Sequence, residues 1–266
     1  MTTVRQLHTA LFAFAPQALK YDWDNVGLLC GRFDAPVQTV LVALDAMPDV
    51  IAEAKARGAQ CIVTHHPLLF EPLRAVNDES FSGRCVLELI EAGIAAINLH
   101  TNLDVCPGGV NDVLAQRLGL ADVQVLNPTG YDAQGRACGL VRTGTVGEQP
   151  LAHFAAFVKQ ALSCPGLRFA DAGRPVRRVA VGGGSCGGAI DEVLAAGCDT
   201  FVTADLKYNH FEEARYRGLN LIDAGHFETE NPVCEVLAAL LREQFPHLTV
   251  LLSQTHCDET QFLGNS

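Results

Sequence analysis

Residues 53–66, "EAKARGAQCIVTHH", read as the end of a helix, a glycine, a buried strand closing on Val-Thr, and a short polar end. Residues 191–205, "DEVLAAGCDTFVTAD", repeat that order: helix, Gly197, strand, Val-Thr, polar end. The match is a weak internal duplication, and it makes two related α/β halves the working fold.

Outward from the first copy, "TVLVALD" (39–45) is a strand, "PDVIAEAKARG" a helix closed by Gly58, "SGRCVLELIEAG" a helix closed by Gly93, and "AAINLH" a strand. Around the second copy, "RRVAVGG" (177–183) is a strand, "HFEEARYRG" a helix, "LNLIDAGH" a strand, and "NPVCEVLAALLREQF" a long helix before "LTVLLS". Strands rich in Val, Ile and Ala without polar alternation, separated by helices, indicate mainly parallel sheets covered on both faces. The expected halves are residues 1–118 and 176–266, forming one two-lobed body. Residues 119–175, with "GLVRTG", "LAHFAAFVKQAL" and "GLRFA", form a short strand-helix-strand connection rather than a large inserted domain.

The chain has 266 residues, 48% of them hydrophobic, enough for a large core. Its net charge of −11 disfavours a nucleic-acid phosphate backbone or an anionic membrane as main partner. No apolar run approaches the roughly 18–20 residues that span a bilayer, and "ALFAFA" lacks the context of a secretory signal, so a cytoplasmic protein is expected. Ten cysteines are scattered without a C-x-x-C pair, which reads as reduced thiols and not as a disulfide framework or a cysteine zinc site.

Polar residues collect after the strands, where ligands bind in parallel α/β sheets. "VTHH" supplies His65 and His66, "NLHTNLD" supplies His100 and Asp104, and "DAGHFETE" supplies His226 and Glu230. The last two share a His-x-x-x-acid spacing, which puts an imidazole and a carboxylate on one face if the segment is helical. One strand-end histidine is ordinarily a hydrogen-bonded structural residue; three clusters together supply donors for two divalent cations such as Zn, Fe, Mn, Ni or Co. "VGGGSCGG" (181–188) has the context of a phosphate-cradling loop but lacks a Walker lysine, so a tight strand-helix turn is favoured. Cys186 beside it reads as a small buried thiol before a nucleophile. Trp23, Asp24 and Asn25 of "WDNVGL" either shape the mouth of a pocket or close a turn.

Taken together, "YDWDNVGLLCG", "VTHHPLLF", "NLHTNLDVCPGGVNDVLAQRLGL", "VAVGGGSCGGAIDEVLAAGCDTFVTADLKYNHFEEA" and "LIDAGHFETE" resemble the GTP cyclohydrolase 1 type 2 homolog family, the Nif-three-like proteins, over almost the whole chain. The resemblance implies a two-lobed α/β fold, a dinuclear metal centre between the lobes and a ring-shaped homohexamer. By motif it implies His65, His66, Asp104, His226 and Glu230 as ligands, with Glu230 bridging and His100 close by. The chain departs from the family pattern in "ADLKYNHF", where Asn209 stands at a common histidine position and His210 follows one step later.

A paired His/carboxylate centre activates water and polarises the bond it attacks. The expected function is therefore hydrolysis of a C–N or phosphoester bond in a nucleotide or another small molecule, with His100 or His210 as acid/base groups. The rival reading is a non-enzymatic metal-handling or regulatory protein.

Overall fold

The computed structural model describes residues 1–263. Contacts divide the chain into two compact units: Met1–Leu103 with Val233–Cys257, and Asp104–Pro232 with the tail from Asp258.

The first unit is built on a five-stranded sheet in the order Thr249–Leu252, Thr39–Ala43, Cys61–Thr64, Ala95–Asn98, Gly27–Cys30. The first four strands run parallel, and Gly27–Cys30 closes the edge antiparallel to Ala95–Asn98. Leu41 and Ile62 pack against Val50, Ile51 and Ala54 of helix Pro48–Ala56 and against Leu89 of helix Phe81–Ala92. Ser80 starts the second of these helices by accepting a hydrogen bond from Gly83 N at 3.1 Å. The left-handed Gly93 (φ 66°) ends it. Ala43 pairs with Thr64, and Thr64 with Asn98. The residues that follow these strands therefore leave the sheet at one edge: Leu44 O accepts from His65 N and His66 N, and Thr64 O accepts from Leu99 N.

The second unit carries six strands in the order Arg168–Ala170, Asn220–Asp223, Thr200–Thr203, Val176–Val181, Val141–Gln149, Ala121–Leu126. Asn220–Asp223, Thr200–Thr203 and Val176–Val181 are parallel. Val179 and Val181 face a cluster with Phe154 and Val158 of helix Leu151–Ala161, whereas Ala180 and Phe201 face Val193 and Ala214 on the other side. Successive strand residues point to opposite faces, so this alternation is what a sheet covered on both sides requires.

Two features extend the reading of the sequence. The strands of 119–175 are not a separate connection: Val141–Gln149 and Arg168–Ala170 flank the parallel trio antiparallel, and Ala121–Leu126 pairs antiparallel with Val141–Gln149, making this sheet mixed. Ala121–Leu126 is exposed over most of its length, a condition an antiparallel edge tolerates and a buried parallel strand does not. Thr249–Leu252, which closes the chain's second half, pairs with Thr39–Ala43 of the first unit. Among the described residues, no helix is long and apolar enough to cross a membrane.

Candidate metal centre

In the first unit, His65 and His66 leave the end of Cys61–Thr64 and His100 leaves the end of Ala95–Asn98. Donor atoms of the three imidazoles lie within 4.8 Å of one another. Each ring is held through its Nδ1. His65 Nδ1 donates to Leu99 O at 2.8 Å, His66 Nδ1 to Asp45 Oδ1 at 2.7 Å, and His100 Nδ1 to Asp24 Oδ1 at 2.8 Å. A carbonyl or carboxylate can only accept, so the proton sits on Nδ1, and the lone pair of each neutral ring is on Nε2. This tautomer with an oxygen behind it is how a ligating histidine is oriented and made more basic.

The acceptors are themselves fixed. Asp24 takes hydrogen bonds from Thr101 N at 3.0 Å and Thr101 Oγ1 at 2.5 Å besides that from His100. Burial works against its ionisation, but the bonds from His100 and Thr101 prevail and hold the carboxyl at about 2. Asp45 offers its second oxygen to His256 Nε2 at 3.1 Å. Burial again opposes ionisation, and the two histidines overcome it, keeping Asp45 well below the usual carboxylate range.

In the second unit, His226 and Glu230 begin and end the short helix His226–Glu230. His226 Nδ1 meets Asp205 Oδ2 at 2.7 Å, and its Nε2 meets Glu230 Oε2 at 3.0 Å. A neutral imidazole has one proton for two carboxylates, so the contact between Nε2 and Glu230 calls for one more proton, on the ring or on the carboxyl, or for a metal ion. Gly184 passes close to this pair. With φ +60°, a Cβ there would lie 2.1 Å from Glu230 Oε1 and 3.1 Å from His226 Nε2.

Asp104 and Glu230 are buried, at 7% and 5% exposure. Asp104 is held by its backbone, whose carbonyl accepts from Asn111 Nδ2 at 3.0 Å. Burial and then the charges of Asp104 and Glu230 push the Cys186 thiol up, so it stays protonated and its Sγ donates to Gly183 O at 3.2 Å. That excludes it as a thiolate.

The glycine loop proves to be a turn. Gly182 N donates to Val202 O, Gly183 N to Asn111 Oδ1 at 2.7 Å, Gly184 N to Thr229 Oγ1 at 3.0 Å, and Cys186 N to Thr203 Oγ1 at 3.1 Å. Its amides serve the protein's own oxygens rather than an incoming anion. His210 lies in the first turn of helix Tyr208–Tyr216, where its Nδ1 accepts from Lys207 N at 3.2 Å and its ring lies over Gly187.

The donor chemistry fits a divalent cation. Imidazole and carboxylate suit borderline metals, and these buried and half-buried His, Asp and Glu groups are able to hold one. Sequence reasoning did not single out Asp45 or Asp205 as supports. Both are acids two positions past an apolar strand, and that position was the available signal.

A family profile described as Duf34/NIF3 (NGG1p interacting factor 3) matches residues 2–259. A "GTP cyclohydrolase 1 type 2 homolog" of Streptomyces coelicolor is 41% identical over 250 residues, covering 91% of this chain and 87% of the relative. Among solved structures, a hypothetical protein of Staphylococcus aureus superposes with a TM-score of 0.92 at 31% identity, covering 98% of this chain and 99% of that one. A Bacillus cereus protein related to NIF3 superposes with a TM-score of 0.92 at 26% identity, covering 99% of each. The chain belongs to the Duf34/NIF3 (NGG1p interacting factor 3) family.

Proposed function

We propose that the protein is a metal-dependent hydrolase in which His65, His66, Asp104, His226 and Glu230 hold two divalent cations, and that it cleaves a C–N or phosphoester bond in a nucleotide or similar small molecule. The observation that carries this reading is the shared tautomer. His65, His66 and His226 all have Nδ1 against an oxygen, so the same ring atom, Nε2, is presented by every proposed histidine ligand. When bound, the cations supply an activated water and polarise the scissile bond.

The protein's own groups do the rest. Asp45 and Asp205 orient His66 and His226 and raise their basicity. Asp24 holds His100 in the Nε2 lone-pair form, suited to take a proton from the attacking water and return it to the leaving group. His210 is the second candidate for proton transfer, with its Nε2 carrying the proton because Nδ1 accepts from Lys207 N. Assembly into a homohexamer belongs to the same reading and is checked by light scattering.

The test is metal content per chain in the parent, His66→Ala and Glu230→Ala, followed by incubation of the loaded protein with GTP, other nucleotides and cyclic amides. We expect bound transition metal in the parent, loss in both variants and turnover of at least one substrate. A parent without metal, or variants that keep all of it, overturns the ligand assignment. Bound metal with no turnover overturns the hydrolase and leaves a metal-handling protein.

A further inference from the structure

His100 belongs to two triangles of rings. In the first, its centroid lies 5.3 Å from that of His65 and 5.6 Å from that of His66, which are 4.8 Å apart. In the second, it lies 6.1 Å from Trp23 and 6.3 Å from Phe70, which are 5.8 Å apart. Tyr21 stacks behind Trp23 at 5.8 Å, with 30° between the ring planes. One imidazole thus joins the donor cluster to a patch of aromatic rings.

The patch is not core. Trp23 is 61% exposed and Phe70 50%. Its backbone is nonetheless held firmly. Tyr21 N donates to Thr101 Oγ1 at 3.0 Å, and Asp24 N closes the turn onto Tyr21 O. The Asp24 carboxylate binds His100 and Thr101, and Asn25 Nδ2 donates to Leu69 O at 2.7 Å, tying the turn to the residue before Phe70. Large rings on a fixed turn are pre-organised: a planar ligand gains contact area without first ordering a loop. Aromatic side chains stack on any base through its π-face, and this attraction needs no charge on the ligand.

We propose that Trp23 and Phe70 form a stacking subsite for the planar nitrogen heterocycle of the substrate, of purine size, and deliver its edge to His100. The proposal rests on the reading of the His65–His66–His100 cluster as part of the reacting centre. It adds the part of the substrate that is recognised. Lys20, the cation on this turn, directs its ammonium to the carbonyls of Tyr21 and Asp24 at 3.1 and 2.9 Å, so the subsite reads a ring rather than a phosphate. An uncharged nucleoside, which carries no phosphate, should therefore bind by its base alone, in keeping with the chain's net charge of −11.

Trp23 is the only tryptophan in the chain, so fluorescence excited near the red edge of protein absorption reports on this residue alone. Guanosine and adenosine are titrated into chelator-treated and metal-loaded full-length protein, with ribose as the control. Affinity is measured in parallel by equilibrium dialysis of labelled guanosine for Trp23→Ala, Trp23→Phe and Phe70→Ala. We expect saturable quenching by purine nucleosides in both forms and none by ribose. Affinity should fall at least about tenfold in Trp23→Ala and Phe70→Ala and be retained in Trp23→Phe, with metal content unchanged in all three. Metal-loaded protein that binds no purine nucleoside, or Trp23→Ala with parental affinity, overturns the subsite. A changed sedimentation coefficient in Trp23→Ala without purine binding by the parent overturns it too, by making the patch a contact between copies. Purine binding by a chain that takes up no metal supports the subsite and fails the metal reading alone.

Discussion

His66 and His256 are hydrogen-bonded to the two oxygens of one carboxylate, that of Asp45, at 2.7 and 3.1 Å. The pair stands 190 positions apart in the sequence, and Asp45 is ionised because both rings donate to it, against the cost of its burial. Replacing Asp45 with Ala frees the His66 ring to rotate and removes the oxygen that sustains its tautomer. Metal affinity, measured by competition with a chromogenic chelator, should fall about 10- to 100-fold. His256→Ala should give a smaller loss in the same direction. Parental affinity in Asp45→Ala would mean that His66 is oriented by something else.

The second prediction concerns the loop against Glu230. Gly184→Ala places a methyl group 2.1 Å from Glu230 Oε1 at a backbone angle of φ +60°. It should cost about 1–3 kcal/mol of stability in urea denaturation and deplete bound metal. A Cβ on Gly188 meets nothing within 4 Å, so Gly188→Ala should stay within about 0.5 kcal/mol of the parent.

Glu53 sets an acid limit on the first unit. Its carboxylate accepts from Ser253 Oγ at 2.6 Å, from Gln254 N at 3.1 Å, from Thr255 Oγ1 at 3.1 Å and from Arg57 Nη1 at 2.9 Å. Burial raises its pKa, but these donors outweigh it and lower the group from 4.5 to about 2. A carboxyl depressed on folding stabilises above its unfolded pKa. That stability should be present above pH 4.5 and lost as pH falls toward 2. Thermal melts across this range should show Glu53→Gln less stable at neutral pH, with a flatter acid limb.

Asp24 joins the turn carrying Trp23 to the strand end carrying His100. Asp24→Ala leaves Thr101 N, Thr101 Oγ1 and His100 Nδ1 without their acceptor in a buried setting and should destabilise by about 1–3 kcal/mol. Urea titration checks the size of the loss. A neutral result would place the anchoring of this turn elsewhere.

The thiols give a simple check on the packing. Cys257 is exposed, and the other nine cysteines are buried thiols outside any disulfide, with burial pushing Cys61 and Cys106 up to about 12. Native protein should react with about one equivalent of a thiol reagent and unfolded protein with about ten. Several fast-reacting thiols in the native state would contradict the packing of both sheets.

The sequence by itself determined the strand-helix alternation, the strands from "TVLVALD" to "LTVLLS", and the polar residues gathered at strand ends, because apolar runs and helix-ending glycines are local signals. His226 and Glu230 were legible as a pair for the same reason: one helical turn brings i and i+4 together. Partners distant along the chain were not legible. That Asp45 would hold both His66 and His256, that Asp205 would hold His226, and that Thr249–Leu252 would pair with Thr39–Ala43 are decided only when the sheets form. An apolar pattern encodes that a residue is buried and leaves open against what. The direction of each imidazole, and hence the atom it offers, comes from an acceptor that only the tertiary structure brings to it.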